Sequence, residues 1–376
     1  MRSMLKVLHV AALCWVFAAG AVAADSTRVL KAELSPGASG FKVENLVGTM
    51  EVVAGEGASV IVTATVHAES DLLAGKMSVE EVRDDEGRPT LRVVYPLDEH
   101  TVYRDPGRAG GWLGGNNNTS TRYAGTKVRV SSREGVLLYA DVRVEVPSSG
   151  IDGSFRNVAG DIKAEEVSGD SEFDTGSGEI TLSGMRGSVG ADTGSGDIKA
   201  TDIEGAFDAD TGSGDVSLGN FRGERVTGDT GSGNIVLSEI SAEEMKVETG
   251  SGNIRATETH ARTIKAGTGS GEISVAGSGI ESFDADTGSG DVLLDTDGAT
   301  LTRVSVNTGS GDVEVRLDAN ASFEAIADQA SGDIKNGFSG AEPILRGREV
   351  IGYRRGDART RISVDTGSGD LTLVPR

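Results

Sequence analysis

The tetrapeptide Asp-Thr-Gly-Ser occurs six times in this chain, beginning at Asp174, Asp192, Asp210, Asp229, Asp286 and Asp365. Aspartic proteases carry their catalytic carboxylate in this tetrapeptide, so acid proteolysis is the first chemistry to weigh. It requires two such aspartates facing each other across a cleft and sharing one proton. Copies repeated along a stack fall into a parallel column instead, which excludes that geometry. The columns point to a second chemistry, cation binding. One column precedes the threonine and includes Asp192, Asp210 and Asp286; the other follows the turn and includes Asp197, Asp215 and Asp291. Unit charges one strand spacing apart, about 4.8 Å, repel by about 0.9 kcal/mol even at water's dielectric. Calcium, with several oxygen ligands, would offset that repulsion, and these six aspartates are its candidate ligands. Two features weigh against it. Aspartate here directly follows G-x-G, unlike the G-G-x-G-x-D pattern of calcium rolls, and Asn234, Asn253 and Asn307 dilute the charge. The expectation is solvated carboxylates that bond turn amides, with no cofactor and with calcium as the alternative. His9, His67, His100 and His260 show neither metal-ligand spacing nor pairing with a nucleophile.

A repeat positions these carboxylates. Thr-Gly-Ser-Gly recurs nine times, at Thr175, Thr193, Thr211, Thr230, Thr249, Thr268, Thr287, Thr308 and Thr366. Steps of 18 or 19 residues lengthen to 21 before Thr308, and a worn copy, Gln329-Ala330-Ser331-Gly332, keeps the register before a longer gap. Such a period means a solenoid. Within one unit, Phe207, Ala209 and Thr211 alternate with aspartates, the glycines turn the chain, and Val216 and Leu218 resume the alternation before a second corner around Gly219 to Gly223. Period-two alternation marks strands with one buried face. Five residues after each threonine stands an aliphatic ladder that includes Ile180, Ile198, Val216, Ile235, Ile254 and Ile273. The fold expected is therefore all-β, a parallel β-solenoid of 18–21-residue coils. About eleven rungs would make a rod on the order of 50 Å long. The turn glycines are expected to supply positive φ, with neighbouring Ser or Asp bonding the turn's own amides. No helix is expected after any of these turns, so a phosphate-cradling glycine loop is not.

The remaining segments bound the domain organisation. Arg2 and Lys6 precede an apolar run from Val7 to Val22, and Ala21-Val22-Ala23 has the small residues a signal peptidase reads, so residues 1–24 are expected to be a cleaved export signal. No later apolar stretch would span a membrane. Cys14, the single cysteine, lies in that signal, which excludes disulfides and thiol catalysis in the mature chain. Net charge is -22, and losing Arg2 and Lys6 makes it -24, a poor field for nucleic acid or anionic lipid surfaces. Aromatics at 4% leave few stacking platforms for sugars or bases. Residues 25–150 lack the repeat, although Phe41 to Asn45 and Thr49 to Val52 look like a first, diverged coil; the segment is expected to be a β-rich N-terminal cap. Residues 105–126, carrying Trp112, are expected to be a loop. Residues 151–376 form the repetitive solenoid with an insertion at 337–361.

The export signal, the diverged coil with Asn45 and the D-T-G-S-G-D-I-type repeats resemble the bacterial family known as "putative adhesin", a β-solenoid domain of unknown function, from about Phe41 to Leu373. That resemblance implies envelope attachment and brings no catalytic residues. The function expected is an exported, non-enzymatic envelope or adhesin-like protein, periplasmic or at the cell surface, whose partner is an envelope component, glycan or protein. A calcium-binding acidic roll and a polysaccharide-active β-helix enzyme are the alternatives; the second usually needs long loops walling a carboxylate cleft, and the stack is uniform until Gly337. The insertion gathers Arg346, Arg348, Arg354, Arg355, Arg359 and Arg361 beside Ile344, Leu345, Ile351 and Tyr353. It is expected to fold over the end of the stack and shield the last strand, Asp370 to Val374.

Overall fold

The structure is a computed structural model that describes residues 26–37, 40–105 and 118–376. The expected export signal with Cys14 and His9, and the part of the 105–126 stretch that carries Trp112, lie outside the described residues. The regular secondary structure of the described chain is strand apart from one helical turn at Asp71–Ala74, whose N-terminus is capped by the Ser70 hydroxyl accepting from the Leu73 amide. It divides into two compact units after Gly196.

In the first unit, the strands Phe41–Val47 and Met50–Gly55 pair in parallel with Ile151–Ala159 and Ile162–Glu165, setting Asn45 beside Asn157 and Met50 beside Ile162. Those strands pair onward with Gly169–Thr175 and Ile180–Thr193, so Asn157 lies in register with Thr175 and Ile162 with Ile180. Other strands flank the Asn45 coil. Leu138–Pro147 runs parallel to Met50–Gly55 and antiparallel to Val60–Ala68, which pairs with Ser26–Leu34. Pro89–Val94 runs parallel to Phe41–Val47 and antiparallel to Ser78–Arg83. Val102–Arg104, Asn118–Tyr123 and Thr126–Ser131 form a separate three-stranded sheet.

The second unit is a parallel solenoid. Ile198–Thr211, Val216–Thr230, Ile235–Thr249 and Ile254–Thr268 pair in register, so that Val216, Ile235 and Ile254 stack as the alternation required, all nearly inaccessible. The second corner of each of these coils lies inside a strand and is made by one left-handed residue: Asp202 (φ 57°), Asn220 (φ 48°), Glu239 (φ 56°) and Glu258 (φ 52°). In the second of these coils the corner falls at Asn220, within the Gly219 to Gly223 stretch where the sequence reading expected it, and a non-glycine residue makes it. The next side chain then points inward, as Ile203, Phe221 and Ile240 do.

The turn glycines also differ from expectation. The glycines of the intact Thr-Gly-Ser-Gly blocks do not occupy the left-handed region. Close approach between coils demands them instead. A Cβ on Gly233 would stand 1.8 Å from the Gly214 carbonyl oxygen, and one on Gly252 would stand 1.8 Å from that of Gly233. Any side chain would push the coils apart.

Coil order departs from chain order at the C-terminus. The strand Thr360–Thr366 pairs with Arg303–Thr308 on one side and Phe323–Gln329 on the other, placing Thr366 between Thr308 and Gln329. Likewise Leu371–Pro375 lies between Val313–Leu317 and Ile334–Asn336. The last strand thus has partners on both sides and needs no shield. The insertion is a β-hairpin, Glu342–Arg346 and Glu349–Arg355, whose second strand pairs antiparallel with the start of Phe323–Gln329. Phe338 covers the rung by packing edge-on against Phe323 at 5.1 Å, with the Arg355 guanidinium 5.5 Å over its ring. Of the expected apolar cover, Leu345 is exposed. Arg354 reaches the half-buried Glu324 at 3.7 Å, and Arg346 reaches Asp328 at 3.9 Å at exposed positions.

Candidate functional site

The repeated polar residues bond one coil to the next. The turn threonines are buried, and the hydroxyls of Thr175, Thr193, Thr230, Thr249, Thr268, Thr287 and Thr308 serve twice. Thr230 Oγ1 donates to the Gly214 carbonyl of the preceding coil at 2.8 Å and accepts from the Gly233 amide of its own turn at 3.1 Å. Thr193, Thr249 and Thr268 repeat the pattern. In the first unit Asn157 takes over, its amide donating to the Gly48 carbonyl at 2.7 Å. Asn45, its in-register neighbour, donates to the Ala140 carbonyl at 2.9 Å and accepts from the Tyr95 hydroxyl at 3.0 Å.

The column after the turn is a second ladder. Asp197 Oδ1 accepts from the Asp215 amide at 3.0 Å, Asp215 from Asn234 at 2.7 Å and Asn234 from Asn253 at 3.0 Å. Asp291 accepts from Asp312 at 2.8 Å, and Asp312 from Asp370 at 2.9 Å. The amides bonded belong to the adjacent coil, not to the residue's own turn as expected. An amide oxygen accepts as well as a carboxylate oxygen, which explains the interspersed asparagines.

The column before the threonine is likewise exposed. Asp192 lies in register with Asp174, Asp210 with Asp229, and Asp286 with Asn307, whose side-chain amide donates to Asp286 at 3.0 Å. Burial raises the Asp229 pKa, and the flanking Asp210 and Glu248 carboxylates push the same way. Among the described residues no group of three or more His, Cys, Asp or Glu comes together as a metal-binding cluster. Of the six candidate aspartates, Asp197, Asp215 and Asp291 have backbone amides as partners.

A different site has no sequence motif. In the first unit a cleft of about 330 Å³ is lined by five cationic side chains, Lys42, Arg83, Arg92, Arg122 and Arg156, with Glu44, Asp84 and Asp85 as its acids. Strand register builds its floor. Glu44 lies between Arg92 and Arg156 on the two neighbouring strands, while Lys42 lies two residues along the same face. Glu44 takes Lys42 Nζ at 2.9 Å on one oxygen and Arg92 Nε at 2.6 Å on the other. Burial opposes its ionisation, yet the hydrogen bonds from Lys42 and Arg92 outweigh burial and hold its pKa below the ordinary range. Arg156 leans to Asp174 at 3.5 Å.

The rim is held by two turns. Asp84 accepts from the Arg88 amide at 2.8 Å and the Glu86 amide at 3.1 Å and also takes Arg88 Nε at 2.8 Å, which closes the loop after Arg83. On the other side the hairpin Asn118–Tyr123 to Thr126–Ser131 turns through Ala124 (φ 46°) and Gly125 (φ 81°), the two positive φ values a two-residue hairpin turn needs. Tyr123 pins that hairpin to the floor, its hydroxyl donating to the Val93 carbonyl at 2.6 Å with the Glu44 carbonyl at 3.2 Å. Burial pushes its phenol well above the usual range. Arg122, one residue earlier, is exposed at the rim and has no ion-pair or hydrogen-bond partner among the described residues.

Comparison with known proteins agrees with the repeat reading. Residues 205–374 match the model of the Toastrack DUF4097 family. The match takes in nearly all of the second unit and leaves out residues 41–204, which the repeat-based resemblance had included. No curated protein matches the chain. Among solved structures, a "putative cell adhesion protein" from Clostridium sporogenes is 12% identical over 93% of this chain and 100% of its own, with a TM-score of 0.20. A "putative adhesin" from Bacteroides fragilis is 10% identical over 92% and 97%, with a TM-score of 0.31. A "putative lipid binding protein" from Parabacteroides distasonis is 12% identical over 94% and 99%, with a TM-score of 0.36.

Proposed function

We propose that this chain is an exported, non-enzymatic, adhesin-like β-solenoid that binds an envelope component, glycan or protein. The observation that carries the reading is the commitment of the most repeated polar groups to coil-to-coil bonding: the threonine hydroxyls and the aspartates after the turn hold backbone to backbone. Groups used this way make a stiff scaffold on which other surfaces can be displayed. The motif-based resemblance to adhesins points the same way, and the N-terminal 24 residues supply the export signal.

Fractionation of the native cells tests this. The mature protein is expected in the envelope fraction and on purified cell-wall material, and full recovery as free soluble protein would count against it. Release of reducing ends from acidic glycans by the purified protein would favour the polysaccharide-active alternative instead.

A further inference from the structure

The cleft in the first unit stands out against the charge of the chain. A protein of net charge -22 gathers five cations around about 330 Å³ and sets three acids among them. Those acids are already engaged or outnumbered. Glu44 is occupied on both oxygens by Lys42 and Arg92, and Asp84 is occupied by Arg88 and two turn amides. Arg122 is left exposed at the rim without a partner among the described residues, on a hairpin fixed by a buried tyrosine. With Lys42 and Arg92 paired to Glu44 and Arg156 leaning to Asp174, five cations still exceed the three acids of the lining, an excess of positive charge whose repulsion an incoming anion would relieve.

We infer that this cleft binds a phosphoryl group of a small polar ligand, with Arg122 and Arg156 as its principal contacts and Glu44 holding Lys42 and Arg92 in place. Arginine suits the role because its planar fork matches two oxygens of a tetrahedral oxyanion at once. The cleft volume is that of a small-molecule site, and its charged lining selects a polar ligand over an acyl chain. The acidic field around it disfavours an anionic membrane, so a free phosphorylated molecule is the source favoured over a lipid headgroup. The site deepens the binding reading above, but its test uses purified protein rather than envelope retention, so either can fail alone.

Titration calorimetry with inorganic pyrophosphate as the probe, at low salt, should show saturable binding to the mature protein. Arg122→Gln should weaken it by about tenfold or more, since a hydrogen bond to a charged group is worth that much. Because the Arg122 side chain has no partner among the described residues, the ligand-free melting temperature of that variant should match wild type. Arg262→Gln, which removes an exposed cation paired with Glu243 in the other unit, should leave binding unchanged. Sedimentation with phosphatidylglycerol vesicles separates the sources. Vesicle binding that Arg122→Gln abolishes, without pyrophosphate binding, would keep the oxyanion site and make its ligand a lipid headgroup. Absence of binding to both probes, or pyrophosphate affinity indifferent to Arg122→Gln, would overturn the inference.

Discussion

Thr230 concentrates the logic of the turn in one hydroxyl, which donates to Gly214 and accepts from Gly233 while 1% exposed. Valine has nearly the same shape and neither capacity. Thr230→Val should therefore leave a buried carbonyl and a buried amide unsatisfied and cost about 1–3 kcal/mol. Thr230→Ser keeps the hydroxyl and should cost less. Chemical denaturation of the two variants checks the order, and equal stability would remove the hydroxyl from the account. Asp229 makes the opposite prediction. Its folded pKa is raised, first by burial and then by Asp210 and Glu248, so its ionised form is disfavoured in the folded chain. It therefore contributes instability above its folded pKa, and that instability disappears as pH falls below its unfolded value near 3.8. Asp229→Asn should raise the melting temperature at pH 7 and have little effect at pH 3. A variant less stable than wild type at pH 7 would show that the carboxylate makes a favourable contact that outweighs the repulsion.

At the scale of elements, period and alternation told which residues share a rung but not how the rungs are ordered. The aliphatic ladder reads alike at Val313, Leu371 and Ile334, so any of these coils can stack on any other. What decides is the quality of the coil. The worn one carries Asn336 in the ladder, and its Ile334 is only part-buried, so it suits a rung with fewer neighbours, while the intact Thr366 coil fills the interior. The residue that makes the second corner was illegible for a related reason. Glu239 and Glu258 are poor left-handed residues by local preference, and it is the inward packing of the residues after them that fixes the bend. The coil order can be tested with cysteines, since Cys14 lies in the expected signal and leaves the rest of the chain free of thiols. Ser305 is paired in register with Ser363. In a Ser305→Cys, Ser363→Cys chain lacking residues 1–24, mild oxidation should form a disulfide without loss of stability. Failure there, with ready cross-linking of Ser305→Cys to Ile326→Cys, would restore the chain order.

For the whole molecule, the sequence made the repeat, its buried faces and its acidic columns legible, because each is written in local spacing. The cleft was not. Lys42, Arg83, Arg92, Arg122 and Arg156 are scattered over more than a hundred residues; the parallel pairing around Phe41–Val47 gathers Lys42, Arg92 and Arg156, while the antiparallel partner of Pro89–Val94 brings Arg83 and the tyrosine-pinned hairpin brings Arg122. Net charge of -22 argued against anionic partners as a bulk property, and a local site of the opposite sign is invisible to a sum. The acidic column after the turn is the converse case: prominent in the sequence, its side chains accept from backbone amides of neighbouring coils. We propose that this polar ladder, closed by the protein's own backbone, needs no cation. Thermal unfolding of the mature protein in chelator and in millimolar calcium, at matched ionic strength, tests it most directly. Coincident unfolding curves are the predicted result, and a melting temperature raised by calcium and lowered by chelator would contradict it.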